Sequence, residues 1–328
     1  MSRLYSLALL VTTTLALASN AAAQESKLQL PADPSLWING APINLESLRG
    51  KAVVLYFFEE GCPKCRNKWP ELAALTQQAA DKPVVFLAVS SGTQRGEMEQ
   101  YARRSNVPWP IILDPLRQLE KQADVGEISL QNVMQYAYVK ADGSVHRGQW
   151  NDVAGTVTQA LAGAAWRVEP ADVPPTLKAT WQALEMGNFA AAAPGIKKAV
   201  NDRKPEVKAA GEKLQAAAEE SLTKDIAAAR GANSKWETYK ALRAITERYK
   251  GFDLPEDVKD EGRTLHADAE IKRELAAMNA LETLQKGLQS NSPNVRKRNA
   301  ERLDKLITDH AGTEAAALAS EFKIKAGL

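Results

Sequence analysis

The chain is poor in the residues that most often carry chemistry. It holds two cysteines and three histidines in 328 residues. Two cysteines cannot staple a small disulfide scaffold, and three scattered histidines argue against a His-rich metal protein. Neither sign of charge dominates: 42 Lys and Arg stand against 40 Asp and Glu, a net charge of +2. No field of that size points to nucleic acid or an acidic membrane as the main partner. After the N-terminus, no apolar run approaches the ~18 residues of a membrane span. What remains is ordinary globular composition, 45% hydrophobic and 25% charged, which excludes a disordered or collagen-like chain. At roughly 100–200 residues per domain, the length suggests two domains.

Residues 1–23 read as an export signal. Arg3 supplies the positive start, and Leu7–Leu17 is an apolar run broken only by threonines. Ala21-Ala22-Ala23 is a small-residue cleavage site, with Gln24 as the new N-terminus. No cysteine follows the small residues, so lipid attachment there is excluded. The expectation is a periplasmic or secreted protein in an oxidising compartment.

Two compositions meet near residue 170. Before it, β-branched and aromatic runs alternate with helical stretches. The strand candidates are Lys51–Phe58, Pro83–Ser90, Pro110–Leu113, Gln135–Val139 and Ser144–Trp150. Asp142-Gly143 between the last two is a hairpin signal. Helical patterns lie at Cys65–Ala79, Gly96–Ser105 and Leu116–Ala123. This alternation predicts an α/β domain over 24–165, a mixed sheet flanked by helices on both faces. The segment 166–175, with Pro170, Pro174 and Pro175, reads as a stiff linker. Over 176–328, Ala, Lys, Glu and Leu dominate and strand signals vanish. An all-α domain is expected there, with helices near 176–187, 189–200, 205–229, 234–249, 255–289, 293–309 and 313–323. Trp181–Phe189 and the Ala-rich helix after it resemble a tetratricopeptide-type hairpin, but the periods do not match well; an irregular bundle is the alternative.

The chemistry is concentrated in Cys62-Pro63-Lys64-Cys65, which follows the strand ending in Phe57-Phe58 and opens a helix. A helix N-terminus presents unpaired N–H groups and a partial positive charge. Such a site favours a thiolate, and can bring a cysteine from ~8.5 into the range of roughly 3.5–7.5. Lys64 adds a cation, and Pro63 fits the first turn without losing a hydrogen bond. Cys62 is the expected exposed attacking thiol. Cys65, one turn deeper, is the expected resolving thiol.

On these residues the chain resembles the thioredoxin-like proteins, and within them the exported TlpA-type thiol:disulfide oxidoreductases. The resemblance covers about residues 30–165. Trp37–Lys51 looks like a lead-in hairpin with its Leu-x-x-Leu-Arg-Gly-Lys step. Phe57–Cys65 matches the strand–turn–helix active site, with Pro70 where the family kinks its helix. Val85–Ser91, a helix and Val107–Asp114 resemble the central insertion of TlpA-type members, and Ala137–Val145 the closing hairpin. The resemblance implies thiol–disulfide exchange with protein substrates, in the reductase direction, fed by a membrane electron carrier. It implies no cofactor beyond the Cys62–Cys65 redox pair. Phe58, Pro63, Val133 and Met134 are the expected substrate-facing residues. The helical domain is expected to select a protein partner.

Three departures stand out. The family's cis-proline falls on Met134 here, where a cis bond would cost ~2.5–4 kcal/mol. The buried aspartate that thioredoxin proper places six residues before its first Cys is Tyr56. Glu59 and Glu60 precede the motif, and either is a candidate proton acceptor for Cys65.

Other chemistries fit less well. Two thiolates make half a tetrahedral zinc shell, but His146, His266 and His310 are scattered, so no metal is expected. A peroxidatic cysteine of the P-x-x-x-[TS]-x-x-C type would need Thr and Pro where Glu59 and Leu55 stand. The remaining alternative is a redox-inactive scaffold whose helical half binds protein. A structural disulfide closing so small a ring gains little loop entropy, which favours redox use.

Overall fold

Two uninterrupted apolar runs organise the first half of the molecule. The computed structural model describes residues 28–288 and 292–326; the expected signal segment lies outside them. The chain divides into two compact units, one up to Ala165 and one from Trp166 onward.

In the first unit, strand β1 is Trp37–Ile38, β2 Ala52–Phe58, β3 Val84–Ser90, β4 Ile111–Leu113, β5 Gln135–Val139 and β6 Val145–Arg147. They form one six-stranded sheet in the order β1-β4-β3-β2-β5-β6. β2, β3 and β4 run parallel, and the other three strands run antiparallel to their neighbours. Every side chain of β2 and β3 is buried, as expected for central strands covered on both faces. Helix α1, Pro63–Gln78, starts at the carboxyl end of β2. α2 is Arg95–Arg104, α3 Gln118–Gln122 and α4 Val153–Ala160. Side chains alternate along a strand, so Val54, Tyr56 and Phe58 share one core with Cys62, Cys65, Trp69 and Leu72.

Two expectations are corrected. Trp37–Lys51 is not a hairpin. β1 pairs with β4, Trp37 opposite Ile112, and Leu45–Leu48 is a 3₁₀ turn capped by Asn44, which accepts from the Glu46 amide at 2.9 Å. The local cap competes with extended pairing and wins. The helix α4 was not expected. It is short and weakly charged, and it is set by Asp152, whose carboxylate accepts from the Gly155 amide at 2.8 Å.

The second unit is all helical among its described residues. The helices are α5 Lys178–Glu185, α6 Phe189–Val200, α7 Pro205–Arg230, α8 Lys235–Arg248, α9 Glu256–Ala267, α10 Ala269–Leu288, α11 Pro293–Asp309 and α12 Glu314–Ala326. Lengths from 8 residues in α5 to 26 in α7 exclude a fixed repeat. The single helix expected over 255–289 is two. Asp268 is extended, accepts from the Glu270 amide at 2.8 Å and pairs with Lys235 at 2.8 Å, so it ends α9 and caps α10. The start of the expected linker packs onto α5: Glu185, fully buried, accepts from the amides of Arg167 at 3.2 Å and Val168 at 2.9 Å. Trp181 donates its indole N–H to the Val168 carbonyl at 2.7 Å. No helix among the described residues is long and apolar enough to cross a membrane.

Two glycines in the second unit should respond oppositely to alanine. A Cβ at Gly211 would meet the Ala199 Cβ at 2.7 Å and the Val200 nitrogen at 2.8 Å, whereas at Gly262 it meets nothing within 4 Å. Gly262→Ala should stabilise by ~0.5–1 kcal/mol through helix propensity. Gly211→Ala should destabilise by ~1–3 kcal/mol through overpacking. Urea unfolding of the two variants, followed by far-UV circular dichroism, reads both signs.

Candidate functional site

The site is built where β2 stops. Glu59, Glu60 and Gly61 turn the chain, and the Glu59 carbonyl accepts from the Cys62 amide at 3.2 Å. Cys62 then adopts extended backbone angles and becomes the N-cap of α1, with Pro63 in the first turn. Its sulfur accepts from the Cys65 amide at 3.1 Å. One of the orphan donors of the helix thus ends on a thiol instead of the usual hydroxyl or carboxylate oxygen.

Both cysteines are free thiols. Cys62 is 4% exposed and Cys65 fully buried. Cys62 is therefore not the exposed nucleophile expected from its position. Capping the helix draws its side chain over the end of α1 and into the same core as Cys65. Pro63 and Lys64 stand exposed beside it.

Burial pushes the Cys65 thiol up to about 12, helped by its hydrogen bond with Cys62; the Glu59 backbone N–H and the Tyr56 hydroxyl oppose that rise. A charged Cys65 would be costly in this apolar setting, so the resting form is neutral. Of the two candidate proton acceptors, Glu60 has its carboxyl raised, by burial first and then by the charges of Glu97 and Glu59. Glu59 reaches Cys65 through its main chain. Both glutamates are half-buried.

Phe58 is not on the substrate-facing surface. It is fully buried, because the strand alternation aims it inward with Tyr56. It packs edge-on against Trp69 at 5.2 Å and stacks on Tyr101 at 5.5 Å. Val133 and Met134 are half-buried and pack against the core that contains the thiols. Gln135 pairs with Phe57, so Met134 stands one step on, level with the end of β2. All described peptide bonds are trans, and Met134 takes the proline's place in a left-handed conformation, φ +59°. For a residue with a Cβ that conformation costs roughly 1–2 kcal/mol.

Composition and spacing did not reveal the aromatic wall behind the thiols. Tyr56 stacks on Tyr136 at 5.1 Å and meets Trp69 edge-on at 5.3 Å. Trp69 donates to the Tyr101 hydroxyl at 2.9 Å. The alternation of Gln135–Val139 was a usable signal for Tyr136: its opposite number in the sheet is Tyr56. The histidines stand on other elements. His146 stacks on Tyr138 at 5.2 Å, His266 bonds the Tyr239 hydroxyl at 2.8 Å, and His310 ends α11. Among the described residues no cluster of three or more His, Cys, Asp or Glu could hold a metal ion.

The raised Cys65 predicts a pH dependence. Its folded value lies above the ordinary value of 9.0, so its neutral-thiol preference stabilises the reduced fold fully below about pH 9. That contribution is lost as pH rises towards about 12. Buried Tyr56 and Tyr136 are shifted upward as well and act in the same direction. The reduced protein should therefore lose stability across that window, and Cys65→Ala should lose less. Urea midpoints measured from pH 8 upward test this, and parallel curves for the two proteins would refute it.

Comparison with known proteins finds similarity over the first part of the chain. Residues 21–145 match the family described as AhpC/TSA. The thiol-disulfide oxidoreductase ResA of Bacillus subtilis is 29% identical over 90 residues, 27% of this chain and 50% of ResA. The soluble secreted antigen MPT53 of Mycobacterium tuberculosis is 30% identical over 94 residues, 29% of this chain and 51% of the antigen. The chain thus spans about half the length of the curated relatives it matches. Among solved structures, a secreted Mycobacterium tuberculosis disulfide oxidoreductase homologous to E. coli DsbE is 21% identical. That match covers 40% of this chain and 96% of the other, at a TM-score of 0.32. Over residues 21–145, then, this chain is similar to the AhpC/TSA family.

Proposed function

We propose that this protein is an exported thiol–disulfide oxidoreductase, acting on protein substrates through Cys62 and Cys65 and running in the reductase direction. The observation that carries this reading is the placement of both thiols at one helix start, with the Cys65 amide donating to the Cys62 sulfur at 3.1 Å. A sulfur that already accepts an N–H bond at the positive end of a helix is prepared to carry negative charge. The cap is also the nearer of the two to the surface. Cys62 attacks a substrate disulfide and forms a mixed disulfide. Cys65 then attacks Cys62 and releases the reduced substrate.

Around this centre, Lys64 supplies a cation, and Pro63, Val133 and Met134 flank the approach to Cys62. Glu60, whose raised carboxyl can hold a proton nearer to neutral pH, is the better of the two glutamates for carrying protons to solvent. The curated relatives named as thiol-disulfide oxidoreductases and as a secreted antigen support both the chemistry and the export. A membrane electron carrier is the proposed donor. The helical unit is proposed to select the protein partner.

The test is the reduction potential of the Cys62–Cys65 pair in residues 24–328, titrated against a thiol buffer. A value near about −270 mV is expected for a reductase; one near about −120 mV would reverse the direction, and no reversible couple would remove the reading. Alongside it, Cys62→Ser should abolish exchange, and Cys65→Ser should trap a mixed disulfide detectable on a non-reducing gel.

A further inference from the structure

The exchange just proposed leaves one buried group at the site unexplained. Tyr56 is fully buried in the middle of β2, and its hydroxyl completes no hydrogen bond in the resting protein. The ring is held from several sides. Tyr136 stacks on it at 5.1 Å and Phe58 at 5.8 Å, and Trp69 and Trp109 meet it edge-on at 5.3 and 6.4 Å. A phenol confined in this way cannot swing out to water. Cys65 lies in the same buried core, and the Tyr56 hydroxyl favours its sulfur in the charged form.

The other groups that bear on Cys65 cannot do the same work. Cys62 on α1 makes the Cys65 thiolate harder to form, and Glu59 reaches it through a main-chain N–H. The hydroxyl of Tyr101 on α2 is engaged by Trp69 at 2.9 Å. Tyr136 on β5 feels the charge of Cys65 but makes no hydrogen bond to it. Among these described residues, Tyr56 on β2 is left as the side chain whose buried, unpartnered hydroxyl acts on the resolving sulfur.

We propose that Tyr56 donates a hydrogen bond to the Cys65 sulfur as that sulfur becomes anionic, and so sets the rate at which the mixed disulfide is resolved. The inference rests on the thiol-exchange reading above. In the step itself, Cys65 Sγ attacks Cys62 Sγ. The Cys62–Cys65 bond forms as the bond from Cys62 to the substrate sulfur breaks. The substrate sulfur leaves with the electron pair and takes up the proton lost by Cys65, so the substrate is reduced and the pair oxidised. The hydroxyl's incomplete bond in the neutral pair is what such a role requires, since catalytic hydrogen bonds often tighten only as charge develops. A carboxylate at this position could take a proton from the thiol. A phenol at neutral pH only solvates the anion, so Tyr56 itself adds no titration near neutral pH to the resolving step.

The experiment mixes the reduced full-length protein with a symmetric nitroaryl disulfide and follows nitroaryl thiolate by stopped flow. The first equivalent reports attack by Cys62 and the second reports resolution by Cys65. In Tyr56→Phe the second phase should slow about tenfold, the scale of one lost hydrogen bond to a charged group. Its rise with pH should move up by about one unit. The first phase, and both phases of Tyr136→Phe, should stay within about twofold. Should Tyr56→Phe fold poorly, 3-fluorotyrosine incorporated at position 56 keeps the shape and sharpens the donor; the second phase should then accelerate and its rise move to lower pH. An unchanged second phase in both variants overturns the role of Tyr56 and leaves exchange standing. Absence of a second equivalent from the unaltered protein overturns the exchange reading and this inference with it.

Discussion

The hydrogen bond from the Cys65 amide to the Cys62 sulfur, 3.1 Å long, is the constraint around which the site is arranged. A helix start needs an acceptor for its first free amides. Using a thiol for that purpose fixes the sulfur at the positive end of α1 and holds the second cysteine one turn below. Pro63 keeps the first turn in helical geometry without spending a donor. The strand β2 supplies the other half of the constraint. Its seven residues are all buried, so the turn at Glu59–Gly61 delivers Cys62 at a height set by the sheet.

The same burial separates the roles of the two sulfurs. Around Cys65 the walls are tyrosine and tryptophan rings, and an anion there lacks water. Cys62 sits at the rim of that box, next to exposed Pro63 and Lys64. Two chemically identical groups three residues apart thus meet different solvents, and the order of attack proposed above rests on that difference. The left-handed Met134 belongs to this arrangement. It turns the loop into β5 beside the end of β2 without the proline that the family resemblance led one to expect.

Much of this was legible from residues alone. The apolar runs of β2 and β3 were long, β-branched and flanked by turn residues, so their identity as central strands was secure, and Cys62-Pro63-Lys64-Cys65 at a strand–helix junction identified the site. Reading failed where a single side chain decided the outcome. Asn44 curled the lead-in into a 3₁₀ turn, Asp152 nucleated α4, and Asp268 divided one expected helix into two. Exposure at the site was misjudged for related reasons. Cys62 was expected at the surface because a nucleophile should be reachable, yet its capping bond draws it inward. The family resemblance put Phe58 on the substrate-facing surface, although strand alternation settles its direction. Tyr56 and Tyr136 are distant in sequence, and only the register of β2 against β5 brings their rings together.

The two outermost strands of the sheet are its shortest together with β4: β1 has two residues and β6 three, whereas the central β2 and β3 have seven each. An edge strand offers unpaired N–H and C=O groups to any extended chain that comes near. A protein proposed to exchange disulfides with protein substrates would face that encounter repeatedly. Edges this brief leave little backbone on which a foreign strand could zip. The long, sticky strands are interior, where both of their hydrogen-bonding sides are already taken. The exchange proposed above is thereby left to the sulfur end of the sheet.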